Sequence, residues 1–138
     1  MGMNEPALSD ADYATLADFR HILRQFVSFS ENRAGEEGLT AQQHQALLAI
    51  RGAESGRATI GYVAERLILK PHSASGLVER LEGLGLLARS SSATDRRRTL
   101  LALTAKAETI LARLSATHRE EIRRLRPLLN ELLARVGE

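Results

Sequence analysis

The chain has 138 residues, which suffices for one hydrophobic core. It contains no cysteine, which excludes a disulfide framework and a thiolate metal site. No apolar run approaches the roughly 20 residues that a membrane span needs. The N-terminal segment is acidic and lacks the basic-then-apolar order of a secretion signal, so we expect a soluble, cytoplasmic protein without a membrane partner.

The formal net charge is only +2, but the charge is unevenly distributed. Residues 57–106 hold nine basic and four acidic side chains, whereas residues 1–56 hold four basic and eight acidic ones. The remaining residues, 107–138, are nearly balanced. A basic centre beside an acidic flank is typical of a protein that binds a polyanion.

The first predicted element is a helix that Ser9 or Asp10 caps and that the segment 34–38 ends. Its large apolar side chains recur at steps of three and four, or their multiples, and so share one face. They are Tyr13, Leu16, Phe19, Ile22, Leu23, Phe26 and Phe29. This face either packs into the protein's own core, or forms a seam with a partner or the wall of a ligand pocket.

Three further helices are predicted between residues 40 and 85. Thr40 and Gln43 have the spacing of a capping box, and residues 52–57 end the helix that follows. Two short helices come next, the first capped by Thr59 and the second beginning at Pro71. Both place apolar residues at i, i+3, i+4 and i+7, and three residues, 68–70, connect them. This arrangement predicts a helix-turn-helix.

A β-hairpin is predicted directly after the helix-turn-helix. Residues 86–90 and 99–103 have the composition of strands, and the polar segment 91–97 has that of a turn. The basic run that ends at Arg98 lies at the tip of this hairpin. A helix-turn-helix followed by a basic hairpin is typical of a winged helix.

The last predicted element is a helix that Thr104 caps and that reaches about Val136. We expect Pro127 to kink or divide it. A second capping-box spacing, at Thr117 and Glu120, also allows a break near His118. The helix has one apolar face along its whole length, and a second copy of the chain is a natural cover for that face.

Five segments together resemble the MarR (multiple-antibiotic-resistance regulator) family in order and spacing. They are IGYVAERL at 60–67, KPHSASGLVERL at 70–81, LGLL at 84–87, DRR at 95–97 and LT at 103–104. The sequence departs from the family pattern at Ile68, where the turn commonly has glycine, and at Lys70, where an aspartate cap is frequent.

The resemblance implies a mainly α fold with a small β-hairpin wing, in which residues 1–138 form a single domain. Residues 10–34 and 105–136 would be the dimerisation helices of a homodimer, and residues 40–104 the DNA-binding region. The resemblance also implies a transcriptional regulator, usually a repressor, that releases DNA when a small and often aromatic ligand binds. Two recognition helices would contact half-sites about one helical turn apart on a pseudo-palindromic operator.

The second helix of the motif is the predicted recognition helix. Its N-terminal part should enter the major groove, with base edges near His72, Ser73, Ser75 and Gly76. Arg80 either contacts a phosphate or pairs with Glu79 or another neighbour. Lys70 gives up a helix cap, so either it contacts a phosphate or another residue, such as Ser73, caps the helix instead.

In the wing, we expect Arg97 to enter the minor groove, because an arginine fits a narrow electronegative groove. Asp95 is a poor DNA contact by charge and should orient Arg97 or Arg96 through an ion pair. Arg96 and Arg98 are candidate phosphate ligands. The alternative for this arginine run is a solvated turn.

The resemblance suggests Phe19, Arg20, Phe26 and His44 as candidates for an effector pocket.

Other functional classes have little support. The four histidines show no metal-binding spacing, and no phosphate loop or nucleophile constellation is present, so we expect no metal, no cofactor and no enzyme activity. The alternative function is a helical protein-interaction adaptor with a winged-helix domain that does not read DNA.

Overall fold

The computed structural model describes residues 7–91 and 98–136. Its elements, in chain order, are α1 (Asp10–Glu36), α2 (Ala41–Gly52), α3 (Ile60–Leu67), α4 (Pro71–Gly83), β1 (Leu87–Ser91), β2 (Thr99–Leu103) and α5 (Ala105–Val136). This order confirms the predicted helical fold with a helix-turn-helix and a small antiparallel hairpin. The chain forms two compact units, residues 31–116 and residues 1–30 with 117–138, and both α1 and α5 extend through the two.

The core of the unit 31–116 is aliphatic and centres on the helix-turn-helix. Its largest fully buried side chains are Leu47, Val63, Leu77, Val78 and Leu81. They come from α2, α3 and α4, at the apolar positions that the periodicity predicts. Burial of each such side chain contributes roughly 1.5–3 kcal/mol, so these positions fix how the two helices of the motif pack.

Side-chain caps begin α2 and α3 where the sequence predicts them. Thr40 Oγ1 accepts a hydrogen bond from the Gln43 amide at 3.1 Å, and Gln43 Oε1 accepts one from the Thr40 amide at 3.0 Å. Thr59 Oγ1 accepts from the Tyr62 amide at 3.1 Å. Each bond satisfies an amide that has no partner within the helix, which sets the first residue of the helix.

The turn between α3 and α4 depends on a left-handed residue. Ile68 has φ 55° and ψ 53°, and it is the only non-glycine residue with positive φ in the described part of the chain. Its side chain is 91% exposed. The Leu69 amide donates to the Ala64 carbonyl at 2.8 Å, which closes the C-terminus of α3 and returns the chain towards α4.

The two strands pair antiparallel, with Leu87 opposite Leu103 and Ser91 opposite Thr99. The second strand has its predicted bounds, whereas β1 begins one residue later than expected. The Leu101 amide also donates to the Ala58 carbonyl at 2.7 Å, so the segment before α3 runs beside β2.

The helix α5 has its predicted bounds, whereas α1 ends two residues later than predicted. The structure has α5 as one helix of 32 residues, so the predicted division at Pro127 and the alternative break near His118 are wrong. A proline removes one backbone donor, and a helix as long as α5 continues on its remaining hydrogen bonds. In α1 the helix continues to Glu36, and the chain leaves it through Gly38, whose φ is +78°.

In the unit formed by residues 1–30 and 117–138, the apolar side chains of α1 divide into two groups. Phe26 and Phe29 are half-buried, with ring centroids 6.0 and 5.4 Å from that of His118. A hydrogen bond of 2.9 Å joins His118 Nε2 and Ser30 Oγ. In contrast, Tyr13, Leu16, Phe19, Leu23 and Val27 are each at least 41% exposed. The predicted single apolar face is therefore partly internal packing and partly surface.

Candidate nucleic-acid interface

At the N-terminus of α4, an exposed lysine occupies the capping position. Lys70 stands at the N-cap position and makes no side-chain capping bond, and Pro71 follows at the start of the helix. Proline suits the first turn of a helix because the N–H that it lacks would have had no partner within the helix. The Lys70 ammonium is thus exposed at the end of the helix that the sequence identifies as the recognition helix.

The two faces of α4 differ as predicted. Its apolar stripe, Ala74, Leu77, Val78 and Leu81, is buried. His72 and Ser73 are exposed, and Ser75 and Gly76 are half-buried. Small residues at the N-terminal part of this face leave room for the close approach of another surface. All four remain candidates for base contacts.

Arg80 lies along the same helix face as Gly76. A Cβ added to Gly76 would stand 3.6 Å from Arg80 Nη1, which is ordinary van der Waals contact. Among the described residues, no carboxylate lies within 4.0 Å of the Arg80 guanidinium, so the predicted ion pair with Glu79 is not formed. Adjacent helix residues point in different directions, which explains this outcome.

Two contacts join the hairpin to the neighbouring helices. Arg89 of β1 pairs with Glu82 of α4 at 2.7 Å. The Thr104 hydroxyl donates to the Gly85 carbonyl at 2.7 Å and accepts from the Ala107 amide at 3.2 Å. One side chain therefore both caps α5 and fastens it to the turn after α4, so the wing begins and ends on fixed residues.

The predicted wing-tip residues Asp95, Arg96 and Arg97 lie outside the described residues, and Arg98 is the one predicted wing contact that the structure describes. Arg98 is exposed and lines an open polar cleft together with Arg57 and Arg66. Neither Arg57 nor Arg66 was predicted as a DNA contact, although both belong to the basic centre, residues 57–106, and Arg66 lies within the segment 60–67.

The effector-pocket candidates are distributed over the two units. Phe19 and Arg20 are exposed on α1, and Phe26 is the half-buried ring next to His118. His44 belongs to the other unit, where it is only 3% exposed on α2. All four therefore remain candidates for contacts with an effector.

The clear pKa shifts in the described chain arise from surface ion pairs. Arg113 Nε and Nη2 donate to the two Glu37 carboxylate oxygens at 2.9 and 2.8 Å. These hydrogen bonds lower the pKa of Glu37 from its ordinary value of 4.5. Hydrogen bonds from Arg124 similarly lower the pKa of Glu121, with a smaller contribution from the charge of His118. Both pairs lie outside α4 and the hairpin, so we interpret them as structural contacts.

The described residues contain neither a metal-binding cluster nor a membrane-spanning helix. No group of three or more histidine, aspartate or glutamate side chains there is arranged to hold a metal ion. None of the helices in residues 7–91 and 98–136 combines the length and the apolar character that crossing a membrane requires.

One family model matches part of the sequence. The sequence model of the MarR family matches residues 37–98, which include α2, α3, α4 and β1. This match confirms the resemblance inferred from the motif. No curated protein shows significant similarity to the chain.

Several solved structures share the fold. A variant of MepR from Staphylococcus aureus, bound to an oligodeoxyribonucleotide, is 20% identical, with 91% of this chain and 98% of that chain covered and a TM-score of 0.67. AbsC, a MarR family transcriptional regulator from Streptomyces coelicolor, is 18% identical, with 94% and 99% covered and a TM-score of 0.70. RV1404 from Mycobacterium tuberculosis is 26% identical, with 88% and 82% covered and a TM-score of 0.69.

Proposed function

We propose, on the premise that the winged helix-turn-helix region of this chain belongs to the MarR family, that the protein is a homodimeric transcriptional regulator that binds double-stranded DNA sequence-specifically. One observation carries the proposal. The helix α4 buries its aliphatic stripe in the core and presents His72, Ser73, Ser75 and Gly76 on the opposite face, and the antiparallel hairpin of β1 and β2 follows it in the chain. This is the arrangement by which a recognition helix enters a major groove.

The charged residues around α4 have roles consistent with such binding. We assign base-edge contacts to the four small or polar residues at its N-terminal part, and phosphate contacts to Lys70, Arg80, Arg96 and Arg98. Arg97 takes the minor groove, with Asp95 as the residue that orients it. Arg80 supports this assignment because its guanidinium forms no ion pair with a carboxylate in the described chain.

The homodimer rests on the exposed apolar side chains of α1 and α5. Nine of the thirteen exposed large hydrophobic residues in the described chain lie on these two helices. On α5 they are Ile122, Leu128, Leu133 and Val136. Exposed apolar patches of this extent mark interaction surfaces, and a second copy presents the same complementary stripes. We therefore propose α1 and α5 as the dimerisation helices.

We further propose that the protein represses transcription and that a small ligand controls its release from DNA. As a repressor, the dimer would occupy a pseudo-palindromic operator and block transcription. A small aromatic ligand that binds better to the DNA-free form would release it, because a ligand shifts an equilibrium only through such differential affinity. Phe19, Arg20, Phe26 and His44 are the candidate ligand contacts.

Selection of bound genomic fragments, followed by footprinting on the strongest fragment, tests DNA binding directly. We expect a protected region with two half-sites about one helical turn apart, and an affinity that falls steeply with salt, by about 0.9 log unit per log unit of salt for each neutralised phosphate. Absence of salt-dependent binding to any fragment would sink the proposal and favour a protein-interaction adaptor.

A reporter gene placed behind the selected operator tests the direction of regulation. We expect reporter expression to rise when the regulator is deleted and to fall when it is restored. A thermal-shift screen of small aromatic acids, repeated as an operator-release assay, then tests the effector. Ligands that stabilise the protein but leave the DNA complex intact would argue against ligand-controlled release.

A further inference from the structure

An open polar cleft lies at the start of α3, beside Arg98. Its volume is about 450 Å³. It is lined by Arg57, Thr59, Tyr62, Glu65, Arg66 and Arg98. Three of these six side chains are guanidinium groups, and all three are exposed.

The strand contact of the hairpin brings these arginines together. The Leu101 amide donates to the Ala58 carbonyl at 2.7 Å, which holds the segment before α3 against β2. Arg57 precedes Ala58, and Arg98 precedes the first residue of β2. Residues that are distant in the sequence therefore line the same cleft.

The third arginine is positioned by an aromatic ring one turn away on α3. The Arg66 guanidinium carbon lies 6.0 Å from the centroid of the Tyr62 ring. A cation at this distance from the face of a tyrosine is attracted by the ring quadrupole. Tyr62 is half-buried at the start of α3, so it offers a fixed support.

The charge of the cleft is largely uncompensated. Arg57 stands 3.7 Å from Glu54, and both side chains are mostly exposed. In the part of the chain that the structure describes, Arg66 and Arg98 have no carboxylate within 4.0 Å. Glu65 also lines the cleft, and with the three arginines it leaves two formal positive charges.

We propose that this cleft binds a backbone phosphate of the DNA on which the recognition helix is docked. The inference rests on the proposed function, which it deepens by adding Arg57 and Arg66 to the interface. In a helix-turn-helix complex the first helix crosses the DNA backbone, and α3 is that helix. Guanidinium groups recognise phosphate through paired N–H donors, so the cleft supplies the chemistry that this position requires.

A phosphate contact of this kind contributes affinity without reading sequence. The variants Arg57→Gln and Arg66→Gln should therefore weaken binding to the operator and to an unrelated duplex of equal length by the same factor. We expect roughly a five- to tenfold loss at about 0.1 M salt, with the slope of log affinity against log salt reduced by up to about 0.9.

Two matched variants separate this role from general effects. Arg51→Gln removes the same charge from the same unit but outside the cleft, where Arg51 pairs with Glu108 at 3.1 Å. It should leave the salt slope unchanged. Arg66→Lys keeps the charge and loses the paired donors, so it should retain the slope and lose only part of the affinity. Circular dichroism of each purified variant confirms that the helices are intact.

The cleft proposal and the proposed function fail in different ways. If the unaltered protein and Arg51→Gln bind DNA while the cleft variants keep an unchanged slope, the cleft proposal alone is wrong. A loss confined to the operator would also overturn it, since that would indicate base readout. If the unaltered protein binds no DNA, both proposals fall.

Calorimetric titration of the DNA-free protein with inorganic phosphate tests whether the cleft binds free phosphate instead of a DNA phosphate. We expect no binding of free phosphate that depends on Arg66, because a single dianion gains only this one site, whereas the duplex gains all its contacts together. If free phosphate binds through Arg66 and DNA affinity does not change in Arg66→Gln, the cleft is a small-anion site and the proposal is overturned.

Discussion

At the residue scale, Ile68 shows the strongest conflict between side-chain type and backbone conformation. It adopts φ 55° in the turn of the helix-turn-helix, and its side chain is 91% exposed. The left-handed region costs a residue with a Cβ about 1–2 kcal/mol, and more crowding is expected for a β-branched one. An exposed side chain offsets none of this cost through burial.

Ile68→Gly should therefore stabilise the fold by roughly 1 kcal/mol, after allowance for the entropy that glycine loses on folding. Urea unfolding at a fixed protein concentration measures the change. Ile68→Ala is the matched control, since it keeps a Cβ and should gain much less. A glycine variant less stable than the alanine variant would contradict this explanation.

The wing gives a second prediction at this scale. Replacing Arg97, which lies outside the described residues, by alanine should weaken operator binding because the minor-groove contact is lost. The dimer should be unaffected. Fluorescence anisotropy with operator DNA and light scattering on the same sample measure both quantities. Loss of the dimer in this variant would show that the wing assignment is wrong.

At the scale of elements, Thr104 connects the hairpin to α5. Its hydroxyl donates to the Gly85 carbonyl and accepts from the Ala107 amide, at 2.7 and 3.2 Å. Gly85 has φ +72°, so the turn after α4 needs a glycine where that bond is made. Thr104 therefore links the end of the hairpin to the turn after α4 and to the start of α5.

Thr104→Val preserves the shape of the side chain and removes both hydrogen bonds. We expect a loss of about 1–2 kcal/mol in the free energy of unfolding. Thr104→Ser retains the hydroxyl and should remain within about 0.5 kcal/mol of the unaltered protein. Thermal and urea unfolding of the two variants make the comparison. Equal losses in both would show that the methyl group, rather than the hydroxyl, matters here.

The pair Glu37–Arg113 joins the connection after α1 to α5 and gives a pH-dependent prediction. Arg113 lowers the pKa of Glu37 from 4.5, so the stabilisation is present above pH 4.5 and is lost as pH falls through the lowered pKa. In Arg113→Gln the pKa of Glu37 should return towards 4.5. Carboxyl titration by NMR measures it, and an unchanged pKa would exclude Arg113 as the cause.

At the scale of the whole molecule, the exposed apolar faces of α1 and α5 determine the expected assembly. The exposed residues of α1 recur at steps of three and four and so form one stripe. Phe26 and Phe29, in the same helix, pack instead on His118. The stripe is thus a surface of the single chain, and it is available to a second copy.

Leu16→Glu and Leu133→Glu place a charge on the two exposed stripes, where the side chains are 53% and 64% exposed. We expect each variant to shift the protein from dimer to monomer, because burying an unpaired carboxylate in an interface is unfavourable. Gln25→Glu, on an exposed position of α1, is the control and should leave the dimer intact. Light scattering coupled to gel filtration gives the masses; dimeric Leu16→Glu and Leu133→Glu proteins would contradict the assignment.

Local sequence encodes those parts of the protein that depend on neighbouring residues. The capping box at Thr40, the Thr59 cap, the proline start of α4 and the apolar stripes of α3 and α4 were all readable, because each is fixed within about one helical turn. The basic composition of residues 57–106 likewise indicated a polyanion partner before any fold was known.

Features that join distant segments arise from tertiary contacts. The grouping of Arg57 and Arg66 with Arg98 depends on the hydrogen bond between Leu101 and Ala58, and no local pattern encodes that bond. The division of the α1 face into buried and exposed side chains also depends on packing. Periodicity specifies which side chains share a face, but it is the three-dimensional arrangement that decides which of them are covered.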